Sequence, residues 1–378
     1  MKSSIVHVIS GLSIGGAEKS LYKLLLNLDR SRFDVAVISL TSLGPLANKI
    51  TSIGIPVFAC NMQNNFLGIF KLIRLLFKLK PDLTQTWMYH ADVLGGVVAK
   101  LTGCKRVIWN IRNTHVFPGQ GVSKSTYWIM RLNKFLSYLI PDRIICVANS
   151  ARLSHLEVGY CKKKMLVIHN GVDVELFKSD SRQRKLTRES INIESDALLI
   201  GCVGRFNSYK NYKNFILTAK VLLLIKPNIF FALAGKDLDN HNGELCDWID
   251  SNNMHSNFRL LGGNFDIPAL MTSLDIFCLP SLSEGFPNVL AEAMSSSLPC
   301  VSTDVGDVKS LLTSDKHIVP VNDIQMLANS LLEKVGQSKA ERRQLGFENR
   351  KKILDEFTID FMVKRYENLY IEVLDEKK

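Results

Sequence analysis

The sequence predicts an α/β protein built from two parallel-sheet domains. Its 378 residues exceed the roughly 150 residues of a typical domain, so two domains are the first expectation. Short apolar runs rich in β-branched residues alternate with helix-length amphipathic segments along the whole chain, a pattern typical of βαβ units. The alternation occurs twice, on either side of a polar stretch at 178–196. We therefore predict two doubly wound domains that face one another across a cleft.

The individual elements follow from these runs. In the first half the predicted strands are Ile5–Ser10, Val35–Leu40, Val57–Cys60, Leu83–Thr86, Arg106–Ile111, Arg143–Ala148 and Leu166–His169, with helices such as Ala17–Leu28, Phe66–Leu79 and Ser125–Leu139 between them. In the second half they are Leu198–Val203, Ile229–Ala234, Phe258–Leu261, Ile276–Leu279 and Cys300–Thr303. The predicted domains are 1–178 and 179–356. Residues 357–378 form an amphipathic helix that could pack back onto the first domain.

The polar stretch between the two domains contains a cluster of cations. A solvated linker helix is the favoured interpretation of this cluster, and a binding role is the alternative. The cations are Arg182, Arg184, Lys185 and Arg188.

The net charge of +11 is distributed unevenly. Residues 1–178 carry 23 Lys and Arg against 9 Asp and Glu, whereas residues 179–378 carry 24 against 27. A field this one-sided favours an anionic partner for the first half: nucleic acid, an anionic membrane leaflet or a phosphorylated substrate.

The chain shows few signs of a secreted or membrane-spanning protein. No uncharged apolar run approaches the roughly 18 residues of a membrane span, and the amino terminus MKSSIVHVIS is too short and too polar for a secretory signal. The 8 cysteines are well separated, which argues against a zinc knuckle or a disulfide framework. We expect a reduced, cytoplasmic protein.

The first predicted strand leads into a glycine-rich turn that opens a helix. In Gly11-Leu-Ser-Ile-Gly15-Gly16-Ala17-Glu18, the glycines would let backbone N–H groups approach an anion at the helix N-terminus. The segment lacks the G-x-G-x-x-G spacing, which disfavours a nicotinamide cofactor. A tight turn with a purely structural role is the alternative.

The second domain places two cations after its first strand. Arg205 and Lys210 lie in the loop between Val203 and the helix that begins near Asn211. Cations at the carboxyl end of a parallel strand can hold a diphosphate as a leaving group. A solvated basic loop is the alternative.

Two glutamates mark the most specific segment of the chain. Glu284 precedes a turn, and Glu292 falls in a helix that Pro287 is expected to start. A carboxylate among the apolar neighbours of Glu292 needs a hydrogen-bonding partner, and sugar hydroxyls would serve. A helix N-terminal acid favoured by the dipole is the alternative, and it suits Glu284 better than Glu292.

With these segments in order, the sequence resembles a retaining glycosyltransferase of family 4, with the two-Rossmann-domain architecture called GT-B, of the kind used in bacterial surface polysaccharide synthesis. The resemblance spans roughly residues 5–335. It is carried by Gly15-Gly16-Ala17-Glu18, Asn170-Gly171-Val172-Asp173 with Phe177, Gly204-Arg205 with Lys210, Pro280-Ser281, Glu284-x7-Glu292 and Leu298-Pro299.

The resemblance implies a role for each matching residue. Gly15 and Gly16 would meet the donor diphosphate, and Arg205 and Lys210 would bind it and stabilise its departure. Glu284 would bind hydroxyls of the transferred sugar and Glu292 the nucleotide ribose. The segment between the two glutamates completes the donor site with Phe286, Pro287, Asn288 and Val289.

The resemblance also implies the substrates and the metal requirement. The donor would be a nucleotide-sugar, with UDP as the favoured nucleotide and a hexosyl or N-acetylhexosaminyl group transferred. No metal or other cofactor is expected, although Asp237-Leu238-Asp239 has the spelling of a metal-binding motif. A residue near the reacting sugar is expected after the middle strand of the first domain, where Arg112 ranks above His115.

The first domain is where the resemblance puts the acceptor, a glycan or a lipid-linked oligosaccharide. Trp87-Met88-Tyr89-His90 is the segment where we expect it. In FLGIFKLIRLLFKLKP at 66–81, Lys71, Arg74 and Lys78 share one helical face, which is typical of a helix on an anionic leaflet. An ordinary sheet-covering helix is the alternative. Peripheral attachment to the inner face of the cytoplasmic membrane is therefore expected.

Two other functions compete with sugar transfer. A nucleotide-sugar epimerase could share the architecture, but the Gly-Arg…Lys and two-glutamate pattern disfavours it. A nucleic-acid-binding protein could use the basic first domain, but no aromatic-basic recognition motif supports it, and no nucleic-acid partner is expected.

Overall fold

The computed structural model describes residues 2–13, 15–63, 65, 67–114, 116 and 123–376. The chain forms two compact units: Met1–Gly171 together with Ile359–Lys378, and Val172–Thr358. Each unit is a parallel β-sheet with helices connecting successive strands. The predicted α/β class with two Rossmann-like domains is confirmed. The sequence placed the domain boundaries at 178/179 and 356/357, and the units divide at 171/172 and 358/359.

In its described part, the first unit has a seven-stranded sheet in the order β3-β2-β1-β4-β5-β6-β7. The strands are β1 (Ser3–Ile9), β2 (Phe33–Ser39), β3 (Val57–Ala59), β4 (Leu83–Trp87), β5 (Arg106–Ile111), β6 (Arg143–Cys146) and β7 (Met165–Val167). The helices are α1 (Gly16–Asn27), α2 (Pro45–Ser52), α3 (Gly68–Leu79), α4 (Tyr89–Leu101), α5 (Lys124–Leu136) and α6 (Asn149–Val158).

The second unit, all of whose residues are described, has a six-stranded sheet in the order β10-β9-β8-β11-β12-β13. The strands are β8 (Leu198–Val203), β9 (Ile229–Ala234), β10 (Phe258–Leu260), β11 (Ile276–Leu279), β12 (Cys300–Thr303) and β13 (Ile318–Val319). The helices are α7 (Ser181–Ser190), α8 (Tyr212–Ile225), α9 (Gly243–Asp250), α10 (Ile267–Ser273), α11 (Asn288–Ser295), α12 (Val308–Leu311), α13 (Ile324–Gly336) and α14 (Lys339–Glu356).

The last helix, α15 (Ile359–Asp375), belongs to the first unit. Its apolar face shares one buried core with β1, β2 and α1. Two of its tyrosines also make buried hydrogen bonds: the Tyr366 hydroxyl accepts from Asn110 Nδ2 at 2.7 Å, and the Tyr370 hydroxyl donates to Gln85 Oε1. Because these partners lie on β4 and β5, α15 fixes the centre of the first sheet.

Two of the cations at 178–196 are not solvated, which corrects the linker interpretation for α7. Arg188 is 2% exposed, and both Arg184 and Arg188 form ion pairs with Asp275, at 2.7 and 2.8 Å. The two guanidinium groups also donate to backbone carbonyls, including that of Ser273. The guanidinium group of arginine offers five hydrogen-bond donors in one plane. The two arginines therefore hold α7 against the rest of the second unit.

Two buried histidines should make the first unit sensitive to acid. Burial lowers the pKa of His7 from 6.5 to about 3 and that of His155 to about 4. His7 Nδ1 accepts a hydrogen bond from Trp87 Nε1 at 3.1 Å, which requires that nitrogen to be unprotonated. The unfolded chain therefore binds more protons than the folded unit between pH 6.5 and these lower values, so stability falls as the pH falls.

We expect each of these histidines to remove up to about 1.4 kcal/mol of unfolding free energy per pH unit below pH 6.5. Urea unfolding of wild type and His7→Gln, followed between neutral pH and pH 4.5, measures the contribution of His7 as the difference between the two slopes. Identical slopes would contradict a depressed pKa for His7.

Candidate functional site

The loop after β8 brings the two predicted cations to the carboxyl end of the sheet. Asn207 caps a short turn, its Oδ1 accepting from the backbone N–H of Lys210 at 3.1 Å. A methyl group at Gly204 would lie 2.9 Å from Lys210 Cε, so the lack of a side chain there makes room for the lysine. Arg205 is exposed, whereas Lys210 is partly buried.

Lys210 and Glu284 form an ion pair. Lys210 Nζ lies 2.7 Å from Glu284 Oε1, and the two side chains are 19% and 15% exposed. The hydroxyl of Ser281 donates to the same carboxylate oxygen at 2.7 Å. Because the pair is largely shielded from water, its charges are screened less than those of a surface pair. Residues that the sequence assigned to diphosphate and sugar are thus direct neighbours.

The backbone around Glu284 is fixed by bonds from neighbouring segments. Thr303, at the end of β12, donates its hydroxyl proton to the carbonyl of Ser281 at 2.5 Å. The N–H of Leu282 donates to the carbonyl of Tyr209 at 2.7 Å, which joins the Glu284 segment to the Lys210 loop. These bonds hold Glu284 beside Lys210.

A glycine in the left-handed region supports the same turn. Gly306 has φ +55°, and a methyl group there would overlap the carbonyl oxygen of Gly285 and lie 2.7 Å from that of Glu284. The next residue, Asp307, donates its backbone N–H to the Gly285 carbonyl at 2.9 Å. Glycine at position 306 therefore allows the segment after β12 to approach the Glu284 turn this closely.

The second glutamate lies on α11, which begins at Asn288 with Pro287 as its N-cap. Glu292 is half-buried and lies on the opposite side of the helix from the buried Leu290 and Met294, because a helix turns successive side chains by 100°. Its chain neighbours Ala291 and Ala293 are both buried. Of the other predicted donor-site residues, Phe286 and Pro287 are buried, and Asn288 and Val289 are half-buried.

The glycine-rich turn of the first unit has the predicted position. Gly15 is the N-cap of α1, which begins at Gly16. The carboxylate of Glu18 lies beside the turn, where it accepts a hydrogen bond from the Ser13 hydroxyl at 3.0 Å, and a methyl group at Gly15 would overlap it. A methyl group at Gly16 would meet nothing within 4 Å. Glu18 thus uses part of the positive potential of the helix N-terminus, and the open side of the turn is at Gly16.

Arg112 follows β5 and belongs to a buried polar cluster in the first unit. Its Nη2 donates to Ser20 Oγ at 2.7 Å and to Asn170 Oδ1, and its guanidinium lies 5.5 Å from the ring centre of Trp87. Burial lowers the pKa of Arg112. Among the described residues, its Nη1 has no hydrogen-bond partner. The other candidate, His115, lies outside the described residues.

The segment at 87–90 is mostly core. Trp87 and Tyr89 are buried, and the Tyr89 hydroxyl lies 2.7 Å from His155 Nε2. Between them, Met88 has φ +72°, an uncommon conformation for such a residue. Trp87 and Tyr89 therefore pack inside the first unit, and Met88 and His90 are half-buried.

One carboxylate of the Asp237-Leu238-Asp239 segment takes part in a local turn. Leu238 is buried, and Asp239 Oδ1 accepts from the backbone N–H of His241 at 2.9 Å. Across the described part of the chain, no group of three or more His, Cys, Asp or Glu side chains could hold a metal ion.

Sequence reasoning gave no role to Ser20 and Thr303. Both are polar residues that the structure buries in hydrogen bonds around candidate site residues. For Ser20, the available signal was a hydroxyl on the buried face of an amphipathic helix. Thr303 carried no signal in the sequence, because its role depends on β12 pairing with β11.

Two family models match the chain in succession. Residues 14–176 match the Glycosyltransferase Family 4 model, and residues 183–352 match the Glycosyl transferases group 1 model. The chain belongs to the family 4 and group 1 glycosyltransferases. The first match contains the Gly15-Gly16 turn, and the second contains Lys210, Glu284 and Glu292.

Two relatives of this glycosyltransferase are named for galactosyl transfer to a GlcNAc-diphosphoundecaprenol and for capsular polysaccharide biosynthesis. It is 26% identical to a UDP-Gal:alpha-D-GlcNAc-diphosphoundecaprenol alpha-1,3-galactosyltransferase of Escherichia coli, over 100% of this chain and 98% of that protein. It is 22% identical to the capsular polysaccharide biosynthesis glycosyltransferase CapM of Staphylococcus aureus, over 82% of each chain.

Solved structures show the same fold. The structure of Anabaena HepE in complex with UDP and glucose superposes with a TM-score of 0.82 at 18% identity, covering 98% of this chain and 100% of that one. A glycosyltransferase from Rickettsia africae gives a TM-score of 0.82 at 17% identity, covering 100% of both chains. These similarities confirm the predicted GT-B fold.

Proposed function

We propose that this glycosyltransferase moves a hexosyl or N-acetylhexosaminyl group from a UDP-sugar to a glycan or lipid-linked acceptor, with retention of the anomeric configuration. The observation that carries the proposal is the Lys210–Glu284 pair, at 2.7 Å, at the carboxyl ends of β8 and β11. Anabaena HepE was solved with UDP and with UDP-glucose. The Escherichia coli relative is named for UDP-Gal and a diphosphoundecaprenol acceptor.

The cations of the second unit suit a departing diphosphate. When the bond from the anomeric carbon to the diphosphate breaks, negative charge develops on the leaving oxygen, and nearby fixed cations stabilise it most at that moment. Lys210 is already positioned by its loop and by Glu284, so little reorganisation is needed. Arg205, which is exposed beside it, would bind the same phosphates.

The carboxylates suit the neutral parts of the donor. Glu284 Oε1 is held by Lys210 and Ser281, which fixes the direction of the carboxylate so that it can accept hydrogen bonds from sugar hydroxyls. Glu292, half-buried on α11, would bind the ribose hydroxyls. Gly16, on the open side of its turn, would face the diphosphate.

Retention follows if the acceptor attacks from the face that the diphosphate leaves. The acceptor hydroxyl oxygen forms the new bond to the anomeric carbon, the bond to the diphosphate breaks, and the hydroxyl proton passes to a phosphate oxygen. This route uses no carboxylate nucleophile and no metal ion. Arg112, whose guanidinium is fixed by Ser20 and Asn170, is the residue we assign near the reacting sugar.

A thermal-shift screen tests the donor. UDP, GDP, ADP and their common sugars are compared with and without EDTA, and a ligand that binds the folded state raises the melting temperature. We expect a rise with UDP and a UDP-sugar that survives EDTA. A rise with another nucleotide alone would overturn the UDP assignment, and loss of the rise in EDTA would overturn metal independence. Proton NMR of the product then gives the anomeric configuration.

Glu292→Ala should weaken UDP binding at least about tenfold, because a charged acceptor for two hydroxyls is lost. Isothermal titration with UDP measures the change. The matched control is Glu348→Ala, which removes an exposed carboxylate on α14 of the same unit. Equal affinities for wild type and Glu292→Ala would remove the ribose role.

The proposed location is the cytoplasm, peripheral to the inner face of the membrane. Within the described residues, no helix is long and apolar enough to cross a membrane. A lipid-linked acceptor would be reached by attachment to the membrane surface.

A further inference from the structure

Helix α5 exposes a stripe of large apolar side chains that the sequence analysis did not single out. Trp128 is 69% exposed and Phe135 is 63% exposed, and Leu132 lies between them at helical spacing. The exposed Leu139 follows in the turn after the helix. Arg131 is exposed within the stripe. Side chains of this size are not normally left in water in such a row unless they meet a partner.

Helix α3 has the same character. Phe70 and Phe77 are 65% and 63% exposed, and Leu67 and Ile73 are exposed too. Its three cations are likewise exposed, so the helix buries only a narrow stripe on the sheet. These cations are Lys71, Arg74 and Lys78. An ordinary sheet-covering helix would bury its phenylalanines.

Both helices lie on one face of the first sheet. Helix α3 connects β3 to β4, α4 connects β4 to β5, and α5 connects β5 to β6. Right-handed crossovers that progress in one direction along a parallel sheet leave their helices on the same side. Helix α4 contacts both α3 and α5, and Val93, Leu94 and Val97 between them are half-buried.

The charge that α3, α4 and α5 expose is of one sign. From 35 to 81 the chain has no acid, and from 83 to 141 its only acid is Asp92. Asp92 is 1% exposed, and burial raises its pKa well above its usual range. No described residue of α3, α4 or α5 therefore presents an exposed carboxylate, whereas α3 and α5 present several cations.

We propose that α3, α4 and α5 form one docking surface for an anionic lipid bilayer. The exposed aromatic and aliphatic side chains of α3 and α5 would enter the boundary between headgroups and acyl chains, and the cations beside them would meet lipid phosphates. The absence of exposed carboxylates removes the repulsion that such a leaflet would otherwise exert. The inference assigns the proposed membrane attachment to one surface of the first unit, and it does not rest on the proposed sugar transfer.

Vesicle flotation tests this surface, with the whole chain and vesicles of phosphatidylcholine with or without phosphatidylglycerol. We expect binding that requires phosphatidylglycerol and weakens with salt. Lys71→Gln/Arg74→Gln/Lys78→Gln and Trp128→Ser/Phe135→Ser should each lower the affinity at least about tenfold. The matched control is Arg343→Gln/Phe347→Ser/Lys351→Gln, which replaces two exposed cations and an exposed phenylalanine on α14. This control should change the vesicle affinity less than about twofold.

Trp128 also reports its own environment. Of the other tryptophans, Trp87 and Trp109 are buried and Trp248 is half-buried against Phe206. A blue shift of tryptophan emission on vesicle addition should therefore come from Trp128, as should quenching by brominated lipid. Both signals should be lost in Trp128→Phe. Binding that survives Trp128→Ser/Phe135→Ser would overturn the role of α5. Retention on RNA or DNA without vesicle binding would overturn the lipid assignment. The UDP thermal shift should persist in every variant, which separates a failure of docking from a failure of the proposed donor site.

Discussion

Lys210→Ala should lower the turnover number by about 10²- to 10³-fold, because Lys210 is placed to neutralise charge that develops on the leaving diphosphate. UDP affinity should fall less than turnover, since the contact is strongest in the transition state. Arg205→Ala should act in the same direction. The measurement is the initial rate of UDP release with the sugar donor that the thermal-shift screen identifies.

The Lys210–Glu284 pair requires a control for folding. Removing Lys210 leaves the partly buried carboxylate of Glu284 without its cation, which by itself destabilises the unit. Lys210→Gln/Glu284→Gln removes both charges. Its melting temperature should lie closer to that of wild type, while its turnover number should stay as low as that of Lys210→Ala. Lys220→Ala, which removes an exposed cation on α8, should keep wild-type turnover. A Lys210→Ala turnover within about threefold of wild type would refute the leaving-group role.

Gly306→Ala should lower the unfolding free energy of the second unit by about 3 kcal/mol, because alanine is strained at positive φ and its methyl group would overlap the Gly285 carbonyl. The Glu284 turn would have to move to make room. We therefore expect UDP-sugar binding to weaken as well, even at temperatures where the variant is folded. Urea unfolding and isothermal titration measure the two effects.

Gly243 supplies the matched control. It begins α9 in the same unit, and a methyl group there would meet nothing within 4 Å. Gly243→Ala should leave stability unchanged or raise it by up to about 1 kcal/mol, because alanine restricts the unfolded chain. If Gly306→Ala were as stable as Gly243→Ala, the close approach of the segment after β12 to the Glu284 turn would not explain the glycine at position 306.

Local patterns in the sequence were sufficient to predict the alternation of elements. The apolar runs at 198–203 and 229–234 became β8 and β9 with the predicted bounds, because a strand buried on both faces must be apolar throughout. Helix α11 was predicted from Pro287 and the segment after it. The half-burial of Glu292 was not, because it depends on which side of α11 the rest of the unit covers.

The sequence by itself determined the fold class, the family resemblance and the residue types of the candidate site, since these depend on local periodicity and on motifs contiguous in the chain. Only the tertiary structure placed Lys210 against Glu284, buried Arg188 against Asp275, and put α3 and α5 on one face of a sheet. Each of these depends on which strands become neighbours. Strand order is set by the packing of the whole sheet, and no short segment encodes it.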